Sequence, residues 1–190
     1  MKNLHWLPVM ILSATMFAGC SASKKVVAPT ANKEGVALRS TVVLKEKVAP
    51  KTINTKKVSA DEVVTFAETL RGTPYKYGSA IREQGFDCSG FIYFVFNKYK
   101  IAVPRSSKDF TNAGQQVSTL DCKRGDIILF TGSDVQSCVV GHMGFITNNR
   151  KGVLQFIHAS SGKGGGVTIS TMNSYFLPRF VKVIRVFDKL

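Results

Sequence analysis

Three stretches of the chain carry side chains able to do chemistry. Cys88 lies in Gly85-Phe86-Asp87-Cys88-Ser89-Gly90-Phe91, His142 in Val140-Gly141-His142-Met143-Gly144, and His158 in Phe156-Ile157-His158-Ala159-Ser160. A thiol followed far downstream by two imidazoles is the inventory of nucleophilic catalysis. The sulfur attacks a carbonyl, one imidazole moves the proton, and the other holds the first in its working tautomer. Taken bare, the inventory also fits a buried structural cysteine and two satisfied core histidines. The other cysteines are Cys20, Cys122 and Cys138. None forms a CxxC pair or a zinc-ligand spacing, and hydrolysis by a thiol needs no metal or cofactor, so none is expected.

Those side chains need elements to hold them. Ser59-Ala60-Asp61-Glu62 is a capping-box pattern, and Val63, Phe66, Ala67 and Leu70 follow at helical spacing until Gly72 and Pro74. Later segments, 126–130, 142–147, 153–158, 167–170 and 180–187, are β-rich and bounded by glycine or polar turns. Helices first and strands later predict an α+β domain. The apolar run Phe91-Ile92-Tyr93-Phe94-Val95-Phe96 is ambiguous. Composition favours a buried strand, but a run this short fits a buried helix equally. Asp126 reads as a turn-shaping residue at a strand start.

Upstream of the domain the composition changes. Residues 1–19 have the layout of a secretory signal: Lys2, a short apolar run, then small residues. The run is shorter than the ~20 residues a membrane-spanning helix needs. Phe17-Ala18-Gly19-Cys20 is similar to the lipobox of bacterial lipoproteins, which implies that Cys20 becomes the lipidated first residue. Several acyl chains would anchor it to the membrane stably. Ser21 follows the cysteine, and similarity to the enterobacterial sorting pattern then implies the outer membrane, facing the periplasm. Residues 20–60 are rich in lysine and read as a basic, flexible tether extended by self-repulsion, with a short strand around 42–44 as the other reading. The folded domain is expected over residues 61–190.

The chain holds 26 Lys and Arg against 12 Asp and Glu, a formal net charge of +14. That balance suits anionic partners. No Lys/Arg run interleaved with aromatics is present, so nucleic acid is not the expected one.

The blocks around Cys88 and the histidines resemble the NlpC-type cysteine peptidases, a papain-like family of bacterial wall hydrolases. The resemblance runs in order through Gly72-Thr73-Pro74-Tyr75-Lys76-Tyr77-Gly78, Asp87-Cys88-Ser89-Gly90-Phe91, Pro104-Arg105-Ser106-Ser107, Arg124-Gly125-Asp126-Ile127, Gly141-His142-Met143-Gly144 and Ile157-His158-Ala159. Ser79 and Phe110 depart from residues common in that family. The resemblance implies a papain-like single domain, its N-terminal helices packed on a C-terminal antiparallel sheet. It also implies that Cys88 opens a buried helix running to about Lys98. A helix N-terminus and a nearby imidazolium would both stabilise a thiolate.

By the same resemblance His142 is the general base and His158 its orienting partner. The Cys88 N–H and the Tyr75 hydroxyl are the oxyanion donors it implies. Asp87 and Ser89 either recognise a substrate amine or hold the turn as caps. Arg105 either binds a stem-peptide carboxylate or forms a structural salt bridge. Cys122 and Cys138 either bridge to each other in an oxidising envelope or remain thiols. The expected activity is hydrolysis of amide bonds in peptidoglycan stem peptides through a Cys88 acyl-enzyme, in a monomer. A catalytically silent wall-binding lipoprotein and an acyltransferase are the competing readings. The bond attacked is not legible.

Overall fold

Ser59 starts the first helix as the capping box requires. Its hydroxyl accepts from the Glu62 N–H, and the Glu62 carboxylate accepts from the Ser59 N–H. Helix α1 then spans Ala60–Glu68 in the computed structural model, which describes residues 53–150, 152–162 and 165–187. The signal segment, Cys20 and the tether as far as residue 52 lie outside the described residues. Ile53 and Thr55 are already buried, so the folded domain reaches upstream of residue 61.

After α1 come a two-residue hairpin, β1 (Ala80–Ile81) and β2 (Gly85–Phe86), and helix α2 (Cys88–Lys98). The ambiguous apolar run is therefore helical. Asp87 has the extended backbone of an N-cap, and its carboxylate accepts from the Gly90 N–H. Phe91, Ile92, Val95 and Phe96 are fully buried at helical spacing, whereas Tyr93 and Asn97 reach solvent. The Phe91 and Phe96 rings meet Phe145 of the sheet edge-on, at centroid distances of 6.4 and 5.3 Å. Packing across the core, together with the cap, overrides the β-propensity of these residues. Gly90 belongs to the same contact: a Cβ there would collide with the Ser79 carbonyl, so only glycine lets the first turn of α2 lie this close.

The sheet comprises β3 (Gln115–Val117), β4 (Ile127–Thr131), β5 (Val140–Arg150), β6 (Val153–Ser160), β7 (Gly166–Thr171) and β8 (Phe180–Arg185). Its order is β3-β8-β4-β5-β6-β7, antiparallel at every pairing. Strand β4 is central and wholly buried. Its Ile127 and Leu129 join the main core with α1 and α2, while Ile128 and Phe130 face a smaller core with Cys122, Ile146, Leu154, Phe156 and Val183. The helices on one face and the antiparallel sheet make the α+β, papain-like single domain the sequence predicts.

Asp126 precedes β4 with no exposed surface. It accepts from the Lys123 N–H and takes both Nε and Nη2 of Arg185, at 2.9 and 2.8 Å. That pairing ties the start of β4 to the end of β8.

Candidate active site

The sheet brings the two histidines together. Phe145 of β5 pairs with Ile157 of β6. Continuing that register puts His158 opposite Gly144 and His142 diagonal to it on the same face, within side-chain reach. A Cβ at residue 144 would meet the Ile157 carbonyl at 2.6 Å and the His158 Cβ at 3.1 Å, so Gly144 is what allows His158 to sit so near.

His142 Nε2 lies 2.8 Å from His158 Nδ1, and His158 Nε2 lies 2.9 Å from the Ser170 hydroxyl on β7. One tautomeric arrangement satisfies this chain with a base at its end. His158 donates from Nε2 to Ser170, His142 donates from Nε2 to His158 Nδ1, and His142 Nδ1 keeps its lone pair. Aromatic rings enclose the pair. Phe156 and Phe176 stand 4.9 and 5.7 Å from the His158 ring, and Phe130 6.1 Å from that of His142. This burial pushes His142 down to about 4 and His158, also facing His142, down to about 3. Both imidazoles are therefore neutral at neutral pH, as a resting general base must be.

Cys88 is the first residue of α2, and its Sγ lies 3.7 Å from the Gly141 carbonyl beside His142. The helix N-terminus is where the family resemblance places it, but the resting thiol is not a thiolate. Burial, and next the Asp87 carboxylate, push Cys88 up to about 11, against backbone N–H groups of Ser89, Met143 and Cys88 itself. A buried thiol and a ring-enclosed imidazole both favour their neutral forms, so any attack by this sulfur would have to shed its proton in step with bond formation.

Tyr75 is clamped beside this pair. Lys76 N–H donates to Phe86 O and Phe86 N–H to Pro74 O, while Gly72 and Val167 tie the same segment to β7. Burial and the proximity of Cys88 raise the Tyr75 phenol, so it stays a neutral donor. Its hydroxyl has no protein partner among the described residues and lines one groove with Cys88, His142 and His158. The groove encloses about 690 Å³, within the range of small-molecule and peptide sites.

Asp87 and Arg105 are joined by two parallel bonds, at 3.1 and 3.0 Å, and Arg105 also donates to Ser89 Oγ at 3.0 Å. Ser89 in turn donates to Asp87. The capping reading of Asp87 and the salt-bridge reading of Arg105 are thus the arrangements present. The bridge between Cys122 and Cys138 is a correction: Cys122 is a free thiol. Its Sγ donates to the Thr119 carbonyl and accepts from Asn149 Nδ2, both at 3.2 Å, inside the smaller core. Cys138 stands in the β4–β5 connection with φ 52°. Among the described residues no cluster of His, Cys, Asp and Glu could hold a metal ion.

The model of the NlpC/P60 family matches residues 72–185, more than half of the chain and all of the residues just described. The chain belongs to the NlpC/P60 family. Among curated relatives, the gamma-DL-glutamyl hydrolase of Bacillus subtilis is 31% identical over 128 residues, covering 67% of this chain and 30% of that protein. The murein DD-endopeptidase MepS/murein LD-carboxypeptidase of Escherichia coli is 31% identical over 121 residues, 63% of this chain and 58% of that protein. The chain thus spans less than two thirds of either relative. The crystal structure of the NlpC/p60 domain of the peptidoglycan hydrolase SagA superposes with a TM-score of 0.54 at 28% identity, over 67% of this chain and 99% of that domain.

Several residues that line or support the groove were not legible in the sequence. Ser170 shares the His158 face of the sheet, since His158 pairs with Thr168 and side chains alternate along β7. That alternation is visible in Val167-Thr168-Ile169-Ser170, but the register that gives it meaning is not. Tyr175, Phe176 and Arg179 form one wall from the β7–β8 connection, a loop with no motif to mark it.

Proposed function

We propose that the protein is a cell-wall hydrolase that cleaves amide bonds in peptidoglycan stem peptides through an acyl-enzyme on Cys88. The observation that carries this reading is the chain of contacts from Ser170 through His158 to His142, which leaves His142 Nδ1 as a base in the groove that holds Cys88. Membership of NlpC/P60 and the murein activities for which the Escherichia coli relative is named support peptidoglycan as the polymer.

In the first half-reaction the Cys88 proton moves to His142 Nδ1 as Sγ bonds to the carbonyl carbon. The developing oxyanion meets the Cys88 N–H, unsatisfied at a helix start, and the Tyr75 hydroxyl. The C–N bond then breaks, and His142 returns the proton to the leaving amine. In the second half-reaction His142 takes a proton from water, which attacks the thioester and releases the new carboxylate and the Cys88 thiol. Neither half-reaction requires a cofactor.

Digestion of purified peptidoglycan by wild type and Cys88→Ser tests the reading. Fragments released by wild type alone support it. Equal release by both, or by neither, removes it. Transfer of the acyl group to an added amine in preference to water would make the protein an acyltransferase. Wall binding without turnover would make it a silent binding protein. We further infer lipid anchoring through Cys20 in the outer membrane, facing the periplasm. Labelling with radioactive palmitate that vanishes in Cys20→Ala supports the anchor, and label retained in Cys20→Ala overturns it. Recovery of the labelled protein with inner-membrane fractions overturns the outer-membrane placement.

A further inference from the structure

Arg179 stands apart from the other arginines near the site. Arg105 and Arg185 are each engaged by a carboxylate, and so is Arg124. Arg179 lies over the Tyr175 ring at 4.0 Å and donates one Nη1 bond to the Tyr175 carbonyl at 2.8 Å. No carboxylate answers it among the described residues, and its remaining donors meet no protein acceptor there. The stack and the single bond hold the guanidinium in place, so little side-chain freedom is left to lose on binding. Tyr175 packs on Phe176, which packs on His158, so this cation is two ring contacts from the catalytic pair. Among the described residues lining the groove it is the only charged one.

A second group lining the groove lacks a partner among the described residues. The Thr131 hydroxyl is buried without any hydrogen bond and lines the groove. Phe130 of β4 pairs with Phe180 of β8. Thr131 follows Phe130 at the end of β4, and Arg179 directly precedes Phe180 at the start of β8, so both chain segments reach the groove at the end of the same strand pair. A fixed guanidinium with unfilled donors and an unsatisfied buried hydroxyl, both lining one groove, suit a planar anion, and the guanidinium fork matches a carboxylate.

We propose that Arg179 and Thr131 form a subsite for a free carboxylate of the bound peptide and thereby select acidic over amidated substrates. This rests on the hydrolase reading of the same groove. The carboxylate belongs either to a residue flanking the scissile amide or to the peptide's own C-terminus. Arg105 cannot serve, because Asp87 and Ser89 occupy its fork.

The test uses synthetic stem peptides in which each carboxylate in turn is replaced by a carboxamide, with two measurements. Hydrolysis by the wild-type protein gives the preference for acid over amide. Calorimetric binding to Cys88→Ser gives the same preference without turnover. One of the amidated positions is expected to lower kcat/KM and affinity about tenfold, a typical loss for a charge-assisted pair, and its position names the source. Arg179→Gln, which keeps a donor for the Tyr175 carbonyl, is expected to bring the ratio to about one. Arg179→Lys should retain part of it. Thr131→Val removes a hydroxyl of nearly the same volume, and is expected to lower the ratio about threefold with no fall in melting temperature. A ratio unchanged in Arg179→Gln overturns the subsite, as does an absence of preference at every position in the wild type. If Cys88→Ser binds acids in an Arg179-dependent way while wild type cleaves nothing, the subsite stands and the hydrolase reading fails.

Discussion

The molecule contains two assemblies of the same three residue types. One is Cys88, Asp87 and Arg105 at the start of α2; the other is Cys122, Asp126 and Arg185 where β4 and β8 meet. In both, the carboxylate takes two parallel bonds from the guanidinium. In both, burial and then the neighbouring carboxylate push the thiol up to about 11. A displaced thiol pKa therefore does not mark the nucleophile here. What differs is the surroundings. Cys88 opens on a groove that also holds His142, whereas Cys122 points at the Thr119 carbonyl and the Asn149 amide at the smaller core. A base and an open wall, rather than the thiol's own acidity, separate the two.

The widest separation is expected in catalysis. Cys88→Ser should lower hydrolysis of peptidoglycan by about 10⁴-fold or more, as loss of a nucleophile does elsewhere. Cys122→Ser should stay within about twofold, because a serine hydroxyl can take over the bonds to Thr119 and Asn149. Rates of fragment release from one wall preparation check both. A large loss in Cys122→Ser with unchanged melting would mean that the two thiols are not divided as described.

The arginines should separate the assemblies the other way, in stability. Arg185→Ala leaves Asp126 buried and without its cation, which should cost about 3–5 kcal/mol. Arg105 is 39% exposed at its side chain, and Asp87 keeps the Gly90 N–H and Ser89 hydroxyl. Solvent screening limits Arg105→Ala to about 1 kcal/mol. Urea unfolding midpoints distinguish the two. Equal losses would show that α2 depends on its ion pair as much as the sheet does on Asp126–Arg185.

How much of this was open to the sequence follows from how each feature is encoded. Local chemistry was legible: the Ser59 capping box, the β4 run and the reactive residues all sit in short contiguous blocks. The α2 helix was not, because Phe91 to Phe96 have the composition of a strand and only the cap and the Phe145 contacts decide otherwise. The resemblance to a family supplied that helix. The state of Cys122 depends on where Asn149 and the smaller core lie, which no spacing conveys. Ser170 and the wall of Tyr175 and Arg179 depend on strand register and on a loop, and register is set by the whole sheet.

Acid sharpens the contrast from another side, since His142 and His158, the two histidines among the described residues, both line the groove. A histidine held neutral by burial binds its proton less readily folded than unfolded. Above the unfolded value near 6.5 both states are neutral and stability is unaffected. As pH falls from there toward about 4, the unfolded chain gains the proton first and folding weakens. For His142 the loss should approach about 3 kcal/mol at pH 4, from the size of the displacement. Unfolding free energies between pH 7 and 4 measure it. His142→Gln, which removes one of the two displaced imidazoles, should lessen the slope in that part of the profile and leave the share due to His158. An unchanged slope in the variant would place the acid sensitivity elsewhere.

The smallest expected effect lies at the far end of the relay, in Ser170. Its hydroxyl touches neither the groove sulfur nor any reacting atom; it acts through His158, and so it is a positioning residue. If the bond from His158 Nε2 fixes the tautomer, Ser170→Ala leaves His158 free to hold its proton on Nδ1. His142 Nε2 then loses its acceptor. Part of the population would have its base turned the wrong way, and kcat should fall about fivefold, near 1 kcal/mol, the usual net value of one hydrogen bond. KM should not move, because Ser170 does not line the groove. Ser170→Thr keeps the hydroxyl and should restore most of the rate. The imidazole nitrogens of His142 and His158 have tautomer-specific NMR shifts, which should report one tautomer in wild type and a mixture in Ser170→Ala. A lower kcat with the tautomers unchanged would reduce Ser170 to a packing residue. The relay would then end at His158, and the groove would differ from the Cys122 assembly by its base alone.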